Sequence, residues 1–182
     1  MKIKTLISII LIVLFFQNIK AQEAPQSVEV IMKNALQQAK KQNKNVFVMF
    51  SASWCTWCKQ MDAKMKTPSI NNLFLDNYII EHFTVFEQKT KQHLVNPGAE
   101  ELLVKYGGKN QGIPFYLIFD NEGNLIADSK MVKDKEVLKG EGNNIGCPGT
   151  PYEIDAFAYK LKETSNLTDK ELLAIAAIFK QN

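Results

Sequence analysis

The strongest constraint on this chain is a junction. Asn45 to Phe50 is an unbroken run of β-forming, largely apolar residues, and a few residues later comes Ser53-Trp54-Cys55-Thr56-Trp57-Cys58-Lys59. Such a run suits a strand buried on both faces. A helix is expected to begin near Cys55 and to continue to about Lys66, where Thr67-Pro68 breaks it. Cys55 then faces unpaired backbone N–H groups and the positive end of the helix dipole. Both stabilise thiolate over thiol, which lowers the pKa of Cys55 and makes it the candidate nucleophile. Cys58, three residues on, lies behind it on the same helical face, placed to attack a mixed disulfide formed at Cys55. Cys55 is expected to be the more exposed of the pair. A static disulfide across two intervening residues closes almost no loop and would stabilise the fold little. Zinc would need two more ligands, and Cys147, His82 and His93 lie scattered without ligand spacing. The expectation is a redox-active pair with no metal and no other cofactor.

Around this junction helix and strand alternate. Ser27 to Gln42 carries apolar residues at Val28, Ile31, Met32, Ala35, Leu36 and Ala39, the spacing of an amphipathic helix. Ser69 to Asp76 reads as a short helix, Tyr78 to Phe86 as a second strand, and Gly98 to Tyr106 as a helix closed by Gly107-Gly108. Phe115 to Phe119 and Leu125 to Ala127 flank Asp120-Asn121-Glu122-Gly123-Asn124, a hairpin signal. Capping boxes at Thr150-Pro151-Tyr152-Glu153 and Thr168-Asp169-Lys170-Glu171 open two further helices. Lys130 to Gly149, with four glycines, is the longest expected loop.

Charge excludes one class of partner. The 22 basic residues are all Lys, and three of them (Lys2, Lys4, Lys20) precede residue 22, where no acid lies. The remainder balances 19 Lys against 19 acids. A neutral chain without Arg lacks the bidentate fork of phosphate recognition, so nucleic acid is set aside. The N-terminus reads as an export signal: two Lys within Met1 to Lys4, an eleven-residue apolar run from Leu6 to Phe16 broken only by Ser8, and cleavage near Ala21. A spanning helix needs ~20 apolar residues, about twice this run. The expected organisation is a signal peptide over 1–21 and one domain over 22–182, with a core of about 27–164 and a helical extension over 165–182. The expected location is periplasmic or secreted, where disulfides persist.

In the Trp-Cys-x-x-Cys-Lys form, the chain resembles the thioredoxin superfamily from about Ser27 to Ala127, with Thr150 to Thr164 as a closing helix. A second matching element is Gly112-Ile113-Pro114-Phe115, whose proline lies 56 residues after Cys58 and just before a strand. The resemblance implies an α/β thioredoxin-like fold: a central mixed sheet with helices on both faces, plus an N-terminal helix and a C-terminal helical extension. It also implies that Pro114 is cis and packs beside the cysteines, that Ile113 offers its backbone to substrate, and that Trp54 stands beside the thiol. Trp57 is expected to form an exposed apolar rim. The substrate-contacting set is thus Trp54, Trp57, Ile113 and Pro114, with Cys55 and Cys58 catalytic.

The chain also departs from the family pattern. Family members usually hold a buried acid six residues before the first Cys, where this chain has Met49. Water or another carboxylate such as Glu87 must then take the proton of the resolving thiol. Neither Thr56 nor Trp57 is charged, so nothing between the cysteines stabilises the Cys55 thiolate as His⁺ would. The reading is a protein disulfide oxidoreductase for exported substrates, a reductase or isomerase exchanging with protein thiols and disulfides. As a reductase it implies a membrane electron donor. The rival is a binding or chaperone-like module with an idle cysteine pair. For Cys147 the favoured reading is a partly buried free thiol, the sharper one a third redox or intermolecular thiol.

Overall fold

A computed structural model describes residues 24–131, 138–140 and 142–181. The expected export signal over 1–21 lies outside the described residues. Helix α1 (Val28–Gln42) starts at Ser27, whose Oγ accepts the Val30 N–H, and leads into strand β1 (Asn45–Ser51). Helices α2 (Thr56–Met65) and α3 (Asn71–Asn77) precede strand β2 (Tyr78–Thr84). A 3₁₀ helix (Lys89–Leu94), α4 (Ala99–Lys105), β3 (Phe115–Phe119) and β4 (Leu125–Asp128) follow. Two capped helices end the order, α5 (Pro151–Glu163) and α6 (Asp169–Phe179), each opened by the capping box its sequence announces.

The sheet order is β2-β1-β3-β4, with β1 parallel to β2 and antiparallel to β3, and β4 antiparallel to β3. The fold is therefore the mixed, helix-flanked sheet that the resemblance implies. Strand alternation divides its core into two layers. Phe47, Met49, Tyr116 and Ile118 face α2, α3, α5 and α6, while Val46, Val48, Phe50, Phe115 and Leu117 face α1 and α4. Helix α6 belongs to the first layer, since Ile175 and Phe179 join the cluster around Phe157. The Lys64 ammonium donates to the Phe179 and Gln181 carbonyls, which closes the C-terminal end of α6 against α2.

One stretch differs from the sequence reading, and the expected loop gains a bridge. The second strand ends at Thr84 rather than Phe86, because Phe86 takes a left-handed φ of 55° and turns the chain toward the 3₁₀ helix. The stretch from Lys130 to Gly149 is not all irregular. Lys130 forms an antiparallel bridge with Asn144, flanked by Met131 N–H to Asn143 carbonyl and Ile145 N–H to Ser129 carbonyl bonds. Gly142 permits this return. A Cβ there would sit 2.2 Å from the Met131 carbonyl oxygen, and its φ of +78° favours glycine.

A buried charge underlies this segment. Lys160, fully buried on α5, donates to the Leu138 carbonyl and lies 3.9 Å from Asp128 Oδ1. The Asp128 carboxylate accepts the Lys130 and Gly140 N–H groups. Burial lowers the Lys160 pKa to about 8 despite Asp128. A lysine depressed in the folded state leaves the unfolded chain binding more protons between pH 8 and its ordinary value, so stability rises with pH there. Burial pushes the Tyr78 hydroxyl up to about 12, and burial with Asp128 raises Tyr116 as well, which reverses the slope above the ordinary tyrosine pKa. Urea titrations are expected to show a gain on the order of 2 kcal/mol between pH 7 and pH 10. Lys160→Met should flatten that rise.

Candidate active site

The site forms where β1 stops. The Cys55 N–H donates to the Ala52 carbonyl at 3.0 Å, which turns the chain out of the sheet, and Cys55 becomes the N-cap of α2. Its Sγ accepts the Cys58 N–H at 3.1 Å, the interaction by which an N-terminal turn holds negative charge. Cys55 and Cys58 are joined as a disulfide. The expected difference in exposure does not hold, since Cys55 is 4% and Cys58 3% exposed. Ile113 packs against the cluster that Ala52, Cys55 and Cys58 form. The asymmetry between the thiols is one of hydrogen bonding: it is the Cys55 sulfur that sits at the cap.

Ile113 and Pro114 arrive on the loop before β3, and the bond between them is cis. The Ile113 carbonyl oxygen lies 3.6 Å from Cys55 Sγ. Trp54 is half exposed and donates its indole N–H to the Phe86 carbonyl at 2.8 Å. Trp57 is 60% exposed, projecting beside the pair. The structure thus gathers Cys55, Cys58 and Ile113 in one packed cluster, with Trp57, Ile113 and Pro114 lining the cleft beside it.

That cleft has a volume of about 360 Å³, and Ile145, Cys147 and Glu153 line its far side. Cys147 is a free, partly buried thiol. Burial raises its pKa, with Glu153 adding to the rise and Lys64 opposing it. A thiol so protected is a poor nucleophile at neutral pH, which favours the bland reading of this cysteine. Nothing in the local sequence placed Ile145 or Cys147 here, because their position depends on the bridge between Lys130 and Asn144.

Glu87 has a structural task. Its buried carboxylate accepts the Ser53 N–H and the Ser53 hydroxyl, and Lys91 Nζ donates to the same hydroxyl at 3.1 Å. The group braces the turn two residues before Cys55. Met49, where the family acid would stand, is 1% exposed in the core layer under α2. His82 pairs with Asp62 at 3.0 Å and His93 is exposed on the 3₁₀ helix, both outside this cluster.

Several solved structures are similar to this chain at low sequence identity. A disulphide isomerase from Xylella fastidiosa Temecula1 is 18% identical, covers 87% of this chain and 92% of its own, and superposes with a TM-score of 0.47. A DsbH oxidoreductase is 19% identical over 84% of this chain and 95% of its own, with a TM-score of 0.45. The C-terminal domain of Neisseria meningitidis DsbD, in its oxidised form, is 20% identical over 66% and 90%, with a TM-score of 0.40. No curated protein sequence matches. The family model described as Thioredoxin-like matches residues 30–121, from α1 through the cysteine pair to the turn after β3. With half of its length accounted for by that match, this chain belongs to the thioredoxin-like family.

Proposed function

We propose that the protein is a thiol–disulfide oxidoreductase for exported protein substrates, working as a reductase or isomerase. The observation that carries this reading is Cys55 Sγ at the N-terminus of α2, accepting the Cys58 N–H and facing the Ile113 carbonyl. In the reduced protein the Cys55 thiolate attacks one sulfur of a substrate disulfide. A mixed disulfide forms and the other substrate sulfur leaves as a thiolate. Cys58, deprotonated, then attacks Cys55 Sγ, which forms the Cys55–Cys58 disulfide and releases the second substrate thiolate. Two electrons pass from the protein to the substrate, and the disulfide form seen here is the oxidised product.

Trp54, Trp57 and the Ile113-Pro114 edge would hold the substrate segment, its apolar side chains against the exposed indoles. As a reductase the protein needs a dithiol donor to return two electrons to Cys55–Cys58. A membrane-embedded donor suits an exported location, which the apolar N-terminal run supports. The test is reduction of insulin by dithiothreitol. Catalysis above the uncatalysed rate is expected, and its absence refutes the reading.

The two thiols should also differ in reactivity. Reduced protein alkylated across a pH series and read by mass spectrometry should show Cys55 reacting at lower pH than Cys58, because only Cys55 caps the helix. Coincident profiles would contradict the assigned roles.

A further inference from the structure

The loop that carries Ile113 and Pro114 is held by a residue far away in sequence. The Asn144 side-chain amide donates to the Pro114 carbonyl at 2.9 Å, and lies within 3.2 Å of the Gln111 carbonyl and 3.3 Å of the Gly112 carbonyl. An amide has two N–H groups for these three acceptors, so it acts as a shared clamp. The contact is reciprocal, because the Asn144 N–H donates to Gln111 Oε1 at 3.0 Å. Asn144 Oδ1 meanwhile accepts the Gly146 N–H at 3.0 Å, which fixes the amide's orientation. Every hydrogen-bonding edge of the side chain is thereby committed. Its three carbonyl partners bracket Ile113, the residue whose own carbonyl faces Cys55 Sγ and is left free of this clamp.

We infer that Asn144 is a positioning residue for disulfide exchange. It holds the Gln111 to Pro114 loop so that the Ile113 backbone stays aligned beside Cys55 for a docking substrate strand. The inference rests on the disulfide-exchange reading above. Asn144 does not touch either sulfur; it acts through Ile113. Its own position is set by the bridge to Lys130 and by Gly142, whose missing Cβ lets the segment close against Met131. The stretch between β4 and α5 thus serves the site rather than merely linking two elements.

The prediction separates docking from sulfur chemistry. In Asn144→Ala, kcat/KM for insulin should fall roughly tenfold, the kinetic equivalent of one lost hydrogen bond, mostly through KM. Reduction of the Cys55–Cys58 disulfide by dithiothreitol alone, which needs no backbone docking, should stay within about twofold of wild type. Asn144→Asp keeps the acceptor for Gly146 but turns a carboxylate toward three carbonyls, so it should be at least as impaired. Amide hydrogen exchange at Gln111, whose N–H donates to the Gly108 carbonyl, and at residue 144, whose N–H donates to Gln111 Oε1, should quicken in both variants while that of β3 is unchanged. Gln111→Ala, which removes only the reciprocal acceptor, should give a smaller effect of the same kind, and serves if the Asn144 variants fail to fold. Wild-type kcat/KM in Asn144→Ala overturns the inference, as does an equal loss in the dithiothreitol reaction. If wild-type protein does not turn over insulin, the disulfide-exchange reading falls. Hydrogen exchange then still decides whether Asn144 holds the loop, and unchanged exchange removes that role too.

Discussion

Cys55→Ser is expected to lose turnover of insulin by at least a factor of roughly a thousand, since no other described thiol caps a helix to replace it. The serine hydroxyl would still cap α2 and accept the Cys58 N–H, so the loss should come without a matching loss of stability. Cys58→Ser should behave differently. Cys55 can still attack, but nothing resolves the product, and the mixed disulfide with substrate should accumulate and be visible on a non-reducing gel. If Cys55→Ser retains wild-type activity the assigned chemistry is wrong. Cys147 would be the next cysteine to examine, although burial holds its thiol protonated.

The largest effect on stability is expected at Phe157. Its ring lies 5.6 Å from Tyr116 on β3, 6.4 Å from Phe74 on α3 and 5.1 Å from Phe179 on α6, centroid to centroid. One side chain thereby joins the sheet to two helices besides its own. Phe157→Ala should cost about 3–5 kcal/mol through lost burial and the cavity left behind. That is a large share of the ~5–15 kcal/mol that holds an ordinary domain together. Urea denaturation followed by circular dichroism would measure it. A cost below about 1 kcal/mol would mean that α6 is loosely attached and that the layer described here does not exist as one unit.

Most of the elements were legible because their signals are local. The Ser27, Thr150 and Thr168 caps are set by their own side chains and those of the next few residues, so sequence and structure agree on where these helices begin. The same holds for β1, whose two-sided burial shows as an unbroken apolar run, and for Asp120, whose carboxylate accepts the Glu122 and Asn124 N–H groups within one turn. The cysteine pair and its cap belong to this class. What the sequence did not reveal depends on contacts across long separations. Glu87 lies 34 residues from Ser53, and Asn144 lies 30 from Pro114, so no periodicity or spacing connects them. The left-handed turn at Phe86 is similarly hidden, since an aromatic residue carries no turn signal of its own. The equal burial of Cys55 and Cys58 is hidden for the same reason, since their cluster packs against Ile113, on a distant loop.

The reduction potential of the Cys55–Cys58 couple tests the central claim, that this disulfide is exchanged in function rather than kept as a staple. The Cys55 thiolate is stabilised by the helix N-terminus and the Cys58 N–H, with no charged residue at Thr56 or Trp57. A thiolate stabilised only that far leaves the reduced form less favoured than in the strongly oxidising members. The couple should therefore lie at about −200 to −270 mV, between the isomerase and thioredoxin values. Equilibration in glutathione buffers, read by the fluorescence of Trp54 and Trp57, gives the number directly. A value near −120 mV would make the protein an oxidant and overturn the reductase or isomerase reading. A value below about −300 mV is that of a structural disulfide, and would contradict the central claim itself.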